Sequence, residues 1–117
     1  MLKILLIDDE KGALDVLEWK INNYINNVEV TTCNSPITAI DIINIQKPDV
    51  VFLDIQMPDM DGFTMLEKLN YRDFNLIFTT AHDEFARKAI KVSAIDYLLK
   101  PVGTDELLAS IEKIRKS

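Results

Sequence analysis

The chain has 117 residues, the length of about one ordinary domain, and 48% of them are hydrophobic, enough for a single core. Its formal net charge of −6 argues against sequence-independent binding to nucleic acid or to an anionic membrane, since both depend on a basic surface. A lone cysteine, Cys33, leaves no internal disulfide and fits a reducing, cytoplasmic setting, while no stretch nears the roughly 18 apolar residues of a membrane span and Met1-Leu2-Lys3 does not open like a signal peptide.

The first apolar run, Ile4-Leu5-Leu6-Ile7, has the branched character of a buried parallel strand and hands over to Asp8-Asp9-Glu10. Residues 12–25 read as the first helix, with Leu14, Leu17, Ile21, Tyr24 and Ile25 on the face that covers the sheet and Trp19 on the opposite one. Residues 28–32 give the second strand. Ser35 then supplies a cap and Pro36 the first helical position of a second helix running to about residue 45, which Lys47-Pro48 ends. The third strand, Val50-Val51-Phe52-Leu53, closes on Asp54, and a third helix runs from residue 62 to about 69 with Met65, Leu66 and Leu69 inward. Leu76-Ile77-Phe78-Thr79 leads to Thr80. The fourth helix, near residues 85–91, lacks a clean apolar stripe and is expected to be poorly anchored and free to move. The fifth strand, residues 95–99, leads into Lys100-Pro101. A fifth helix follows, with Thr104 as cap, Asp105 and Glu106 in its first turn, Leu107, Leu108, Ile111 and Ile114 on one stripe, and Lys113, Arg115 and Lys116 at its carboxyl end.

Five strand–helix alternations predict a parallel sheet wrapped by crossover helices, and in such sheets ligands bind beyond the carboxyl ends of the strands. Asp8, Asp9, Asp54, Thr80 and Lys100 all fall there. Three carboxylates, a hydroxyl and an ammonium suit a divalent cation and a phosphoryl group. A carboxylate such as Asp54 can attack phosphorus to form an acyl phosphate. Neighbouring carboxylates repel one another unless a cation sits between them, and Mg2+ is the hard ion that takes carboxylates, phosphate oxygens and water. Plainer roles compete: Asp8-Asp9 as a helix cap, Asp54 as a turn residue, Lys100 as a surface lysine, Tyr97 as strand packing, and Cys33 as an inert buried strand end. Thr79 adjoins Thr80, and strand alternation turns only one of them toward the site; Thr80 is assigned because it directly precedes Ala81 at the strand end.

Asp8-Asp9, then Asp54 with Met57-Pro58 and Asp61-Gly62, then Thr80-Ala81, then Asp96-Tyr97-Leu98-Leu99-Lys100-Pro101, in this order, resemble the receiver domain of a two-component response regulator across residues 3–116. Residues 78–86 together with Ala94-Ile95-Asp96-Tyr97 are more similar to receivers whose output is the LytTR type of DNA-binding module. The resemblance implies a single receiver domain over residues 1–117, with a (βα)5 flavodoxin-like, doubly wound, parallel five-stranded α/β sheet of strand order 2-1-3-4-5. It implies Asp54 as phosphoacceptor and Mg2+ held by Asp8, Asp9, Asp54 and the backbone carbonyl of Gln56. Thr80 and Lys100 would be catalytic, Thr80 and Tyr97 would switch, and the Lys100-Pro101 bond would be cis, aiming the lysine back at Asp54.

The partners implied are a sensor histidine kinase or phosphotransfer protein, docking around the first helix, where Trp19 would either join that surface or pack across a neighbouring helix, and an output domain or target protein. A phosphorylation-dependent homodimer is also implied, using the surface of helix four, strand five and helix five, where Phe85, Arg87, Lys88 and Lys91 offer contacts. Direct binding of nucleic acid or membrane by this segment is not expected, nor catalysis beyond its own phosphoryl transfer and dephosphorylation. His82, two residues past Thr80, reads first as a solvated loop histidine, with a place bordering the phosphoryl site as the alternative. The alternative is a magnesium-dependent phosphatase with an aspartyl-phosphate intermediate. It would need a second acid two residues after the nucleophile, where this chain has Gln56. A flavodoxin-type phosphate loop is opposed by the acidic residues 8–10.

Overall fold

Val50 to Leu53 are all fully buried, as a strand covered on both faces must be, and the rest of the molecule is arranged around them. The structure, a computed structural model, describes residues 1–116. In chain order the elements are β1 (Leu2–Ile7), α1 (Lys11–Tyr24), β2 (Val28–Cys33), α2 (Pro36–Gln46), β3 (Val50–Leu53), α3 (Gly62–Glu67), β4 (Asn75–Thr80), α4 (Ala86–Lys91), β5 (Asp96–Leu99) and α5 (Thr104–Lys116). The five strands form one sheet in the order β2-β1-β3-β4-β5, every pair parallel, which is the flavodoxin-like topology expected from the sequence.

Strand alternation divides the core in two. Leu5, Ile7, Val51, Leu53, Leu76 and Phe78 face α2, α3 and α4, while Ile4, Leu6, Val50, Phe52, Ile77 and Leu98 face α1 and α5. Each fully buried Leu, Ile or Phe on these faces contributes roughly 1.5–3 kcal/mol relative to exposure. The register aligns Ile7 with Leu53 and Leu53 with Phe78, so the ends of β1 and β3 lie level and the residues that follow them emerge side by side.

Several local expectations are corrected. Tyr24 is not inward: it closes α1 at 53% exposure and meets Trp19 edge-to-face at 6.1 Å. Ile25 is buried as expected but has left the helix, with extended φ −125° and ψ 130°. α3 stops at Glu67, because the chain turns at Lys68 and the N–H groups of Asn70 and Tyr71 donate to Asn44 Oδ1 at 3.0 and 3.1 Å. Thr104 is the first residue of α5 rather than its cap, and the Gly103 carbonyl accepts the first helical N–H, from Leu107, at 3.0 Å. Ser35 caps α2 as expected, its hydroxyl accepting from the Thr38 N–H at 3.3 Å. That helix ends on Lys47 at φ 50°, a left-handed turn.

Candidate functional site

Because β1 and β3 end level, Asp8 and Asp54 start from adjacent backbones, and the Asp54 N–H donates to the Ile7 carbonyl at 3.0 Å. Asp8 and Asp54 are only 4% and 5% exposed, burial that a charged carboxylate tolerates only with a partner. Asp9 sits above them, half-buried. One carboxylate oxygen from each of the three lies within 4.8 Å of the others.

The partner comes from β5. The Lys100 N–H donates to the Thr80 carbonyl at 2.8 Å, the Lys100-Pro101 peptide is cis, and the lysine side chain reaches back across the strand ends. Its Nζ lies 2.6 Å from Asp8 Oδ2 and 3.4 Å from Asp54 Oδ2. Asp54 Oδ1 is occupied separately, accepting the Ile55 N–H at 2.8 Å, which leaves Oδ2 facing the lysine.

Electrostatically the site is under-neutralised. Burial pushes the Asp54 carboxyl above the ordinary range and the charge of Asp8 adds to this, while Lys100 and the Ile55 N–H pull the other way without prevailing. Burial likewise works against the charge on Lys100, but its hydrogen bond to Asp8 and the field of Asp54 outweigh it and hold the ammonium pKa above its usual value. Lys100 thus pairs with two of the three carboxylates, Asp8 and Asp54. The donor set is entirely hard oxygen, so Asp8, Asp9 and Asp54 fit a divalent cation of the Mg2+ type.

Thr80 is completely buried, and its hydroxyl accepts the His82 N–H at 3.3 Å. Tyr97 is half-buried, its ring 6.2 Å from Phe78, and its hydroxyl donates to the His82 carbonyl. Burial holds the Tyr97 hydroxyl above its ordinary pKa. The two residues assigned as switches are therefore joined through the backbone of His82. The imidazole itself points outward, its Nδ1 3.3 Å from Glu84 Oε1 and its ring edge-on to Phe85. Gln56 is exposed in the loop after Ile55. Trp19 lies on the outer face of α1 at 57% exposure.

Sequence reasoning assigned no role to Gly62. A Cβ at this position would stand 2.7 Å from the Asp54 carbonyl oxygen, and the Gly62 N–H donates to the Ile55 carbonyl at 2.8 Å, so α3 starts hard against the backbone of the site. Its signal was the Asp61-Gly62 pair itself, where the Asp61 carboxylate caps α3 by accepting the Thr64 N–H at 2.8 Å. Lys20 was given no role, and Thr79 was set aside in favour of Thr80. With Asp8, Val16, Lys100 and Val102 they line a cleft of about 400 Å3 between α1 and the loop after β5, where Lys20 Nζ donates to the Val102 carbonyl at 2.7 Å.

The chain is similar to known proteins in both sequence and fold. Residues 4–112 match the family described as "Response regulator receiver domain". The chain is 36% identical over 115 residues to the sensory transduction protein LytT of Enterococcus faecalis, covering 97% of this chain and 48% of that protein. It is also 36% identical over 118 residues to the transcriptional regulatory protein BtsR of Escherichia coli K12, covering 99% and 49%. It thus spans about half the length of the curated relatives it matches. The similarity to LytT agrees with the narrower resemblance read from residues 78–97. Among solved structures, the response regulatory domain of protein mrkE from Klebsiella pneumoniae superposes with a TM-score of 0.86 at 26% identity, covering 98% of this chain and 96% of that one. A response regulator receiver domain protein from Clostridium thermocellum does so at 0.84 and 31%, covering 99% and 97%. With its sheet order, acidic cluster and sequence in agreement, the chain belongs to the response regulator receiver domain family of two-component signalling.

Proposed function

We propose that Asp54 is the phosphoacceptor of this receiver and that its phosphorylation by a histidine kinase or phosphotransfer protein controls an output, most directly transcription. The observation that carries the reading is Lys100 lying between two buried carboxylates, 2.6 Å from Asp8 and 3.4 Å from Asp54, at the carboxyl ends of three strands. With Oδ1 fixed by the Ile55 N–H, Oδ2 of Asp54 attacks phosphorus; the Oδ2–P bond forms as the bond to the donor breaks and the leaving group takes the electron pair. Asp8, Asp9 and Asp54, with the backbone carbonyl of Gln56, would hold Mg2+, which when bound supplies positive charge to the carboxylates and the phosphoryl oxygens. Lys100 then offers its ammonium to a phosphoryl oxygen in place of Asp54 Oδ2.

A further −1.5 to −2 units of charge, roughly, appear on Asp54 when it is phosphorylated. The Thr80 hydroxyl moves toward the phosphoryl oxygens and relaxes its hold on the His82 N–H, and the inward packing of Tyr97 on Phe78 is favoured. The surface of α4, β5 and α5 changes population accordingly and serves homodimerisation or an output domain. Trp19 and the cleft beside α1 form part of the kinase docking surface. A cytoplasmic setting follows from these partners. The phosphatase reading gains no observation, since Gln56 offers no acid.

The test is incubation with acetyl phosphate, with and without Mg2+, followed by intact-mass measurement of the wild type and of Asp54→Asn. The expected result is one magnesium-dependent phosphoryl adduct, absent from the variant. No adduct under any condition would leave the acidic cluster without this role.

A further inference from the structure

Away from the acidic cluster, α3 and α4 are separated by an open groove of about 650 Å3 whose chemistry is opposite to that of the chain as a whole. Its floor is apolar, built from Phe63, Leu66 and Phe74. Three cations, Arg72, Lys88 and Lys91, line it against one acid, Glu67, on a molecule of net charge −6.

These cations are held without carboxylate partners. Among the described residues, none of the three forms an ion pair. Arg72 is fixed by donating to the Val92 carbonyl at 2.6 Å and the Phe74 carbonyl at 3.5 Å, with its guanidinium 4.8 Å from the centre of the Phe74 ring. Lys88 Nζ lies 4.5 Å from the centre of the Phe63 ring. Both charges therefore rest on the aromatic floor, where an incoming carboxylate meets them while an apolar side chain covers the rings.

We propose that this α3–α4 groove is a docking site for an acidic peptide segment of a partner protein, one that seats an apolar anchor on Phe63, Leu66 and Phe74 and places flanking carboxylates against Arg72, Lys88 and Lys91. A groove that binds by helix-in-groove packing needs an apolar floor and charged rims, and this one has both. A nucleic acid gains little from the apolar floor and is repelled at long range by the net negative charge. The proposal does not depend on the phosphoryl chemistry of Asp54.

The experiment uses the whole chain, isotopically labelled, titrated by NMR with two synthetic amphipathic peptides of about 14 residues, close to four helical turns. Both carry the same leucine and phenylalanine stripe. One has glutamates beside the stripe and the other lysines. The acidic peptide is expected to shift amides of Phe63, Leu66, Lys88 and Val92, to weaken with added salt, and to lose about tenfold in affinity or more with Lys88→Glu/Lys91→Glu; the basic peptide should leave these residues unmoved. Because Lys88 packs on Phe63, the single variant Lys91→Glu provides a milder check, with an expected loss of a few fold and an unchanged melting profile. Any of four results overturns the proposal: no shifts at millimolar acidic peptide, equal response to both peptides, insensitivity to the charge reversals, or dilution-dependent shifts without peptide that identify a second copy as the occupant. A DNA duplex that competes at the same residues would also overturn it.

Discussion

α5 and α4 pack on opposite faces of the same sheet, and the first is far more deeply anchored than the second. α5 has 13 residues and buries Leu107, Ser110, Ile111 and Ile114 along one stripe, with acids in its first turn and cations in its last. α4 has six residues, buries only Ala89, and leaves Ile90 76% exposed. What ties α4 down is peripheral: Arg72 on the Val92 carbonyl, Lys88 over Phe63, and Tyr97 holding the His82 carbonyl of the preceding loop. A helix with so little apolar anchorage is expected to open locally at lower cost than α5.

The largest expected effect separates the two helices directly. Ile111→Ala should cost about 3 kcal/mol in urea unfolding, since Ile111 is 3% exposed and packed among Leu107, Ile114 and the sheet. Ile90→Ala should fall within about 0.5 kcal/mol of wild type. Comparable losses at the two positions would mean that α4 is anchored as firmly as α5.

A smaller effect tests the peripheral ties. Arg72→Ala removes the donor to the Val92 carbonyl at the carboxyl end of α4. It should lower global stability by about 1.5 kcal/mol and speed hydrogen exchange in residues 86–92 more than in α5. Burial depresses the Arg72 pKa, and the Val92 and Phe74 carbonyls accept hydrogen bonds from its guanidinium. Uniform acceleration across both helices would show that Arg72 supports the whole fold and not α4 in particular.

The same contrast explains what could be read in the sequence. β1, β3 and β4 were legible because parallel strands buried on both faces appear as short unbroken apolar runs, and Asp8 and Asp54 stood out by ending two of them; β2 and β5 lie at the sheet edges and are only partly buried. α5 was legible from its stripe. α4 was read as weak for the reason the structure gives, the lack of such a stripe. Tyr24 was misplaced because helical spacing puts it on the inward face, whereas α1 ends at this residue and its ring packs edge-on to Trp19 instead. The role of Gly62 was hidden because closeness to the Asp54 carbonyl is a tertiary fact that no spacing encodes. Alternation said only that one of Thr79 and Thr80 faces the site, and Thr80 was assigned from its place before Ala81 at the strand end. The structure puts Thr79 in the cleft beside α1 and Thr80 against the His82 backbone on the other face.

The smallest expected effect concerns how β5 is fastened to α5, and it carries a pH signature. Asp96 opens β5, and its Oδ2 accepts from Ser110 Oγ at 2.6 Å and Lys113 Nζ at 3.0 Å, while Oδ1 accepts the Tyr97 N–H at 2.9 Å. Burial alone would raise this carboxyl, but the three hydrogen bonds and the Lys113 charge together hold it below the ordinary range. A carboxyl depressed in the folded state stabilises the fold above the unfolded value of about 4 and loses that contribution as pH falls through the folded value. Asp96→Asn should therefore cost about 1 kcal/mol at pH 7, and the gap to wild type should close as the pH falls below about 4. Urea unfolding of both proteins at pH 7 and at successively lower pH measures it. A deficit that persists unchanged into acid would assign the role of Asp96 to packing rather than charge, and would remove the electrostatic part of the fastening of β5 to α5.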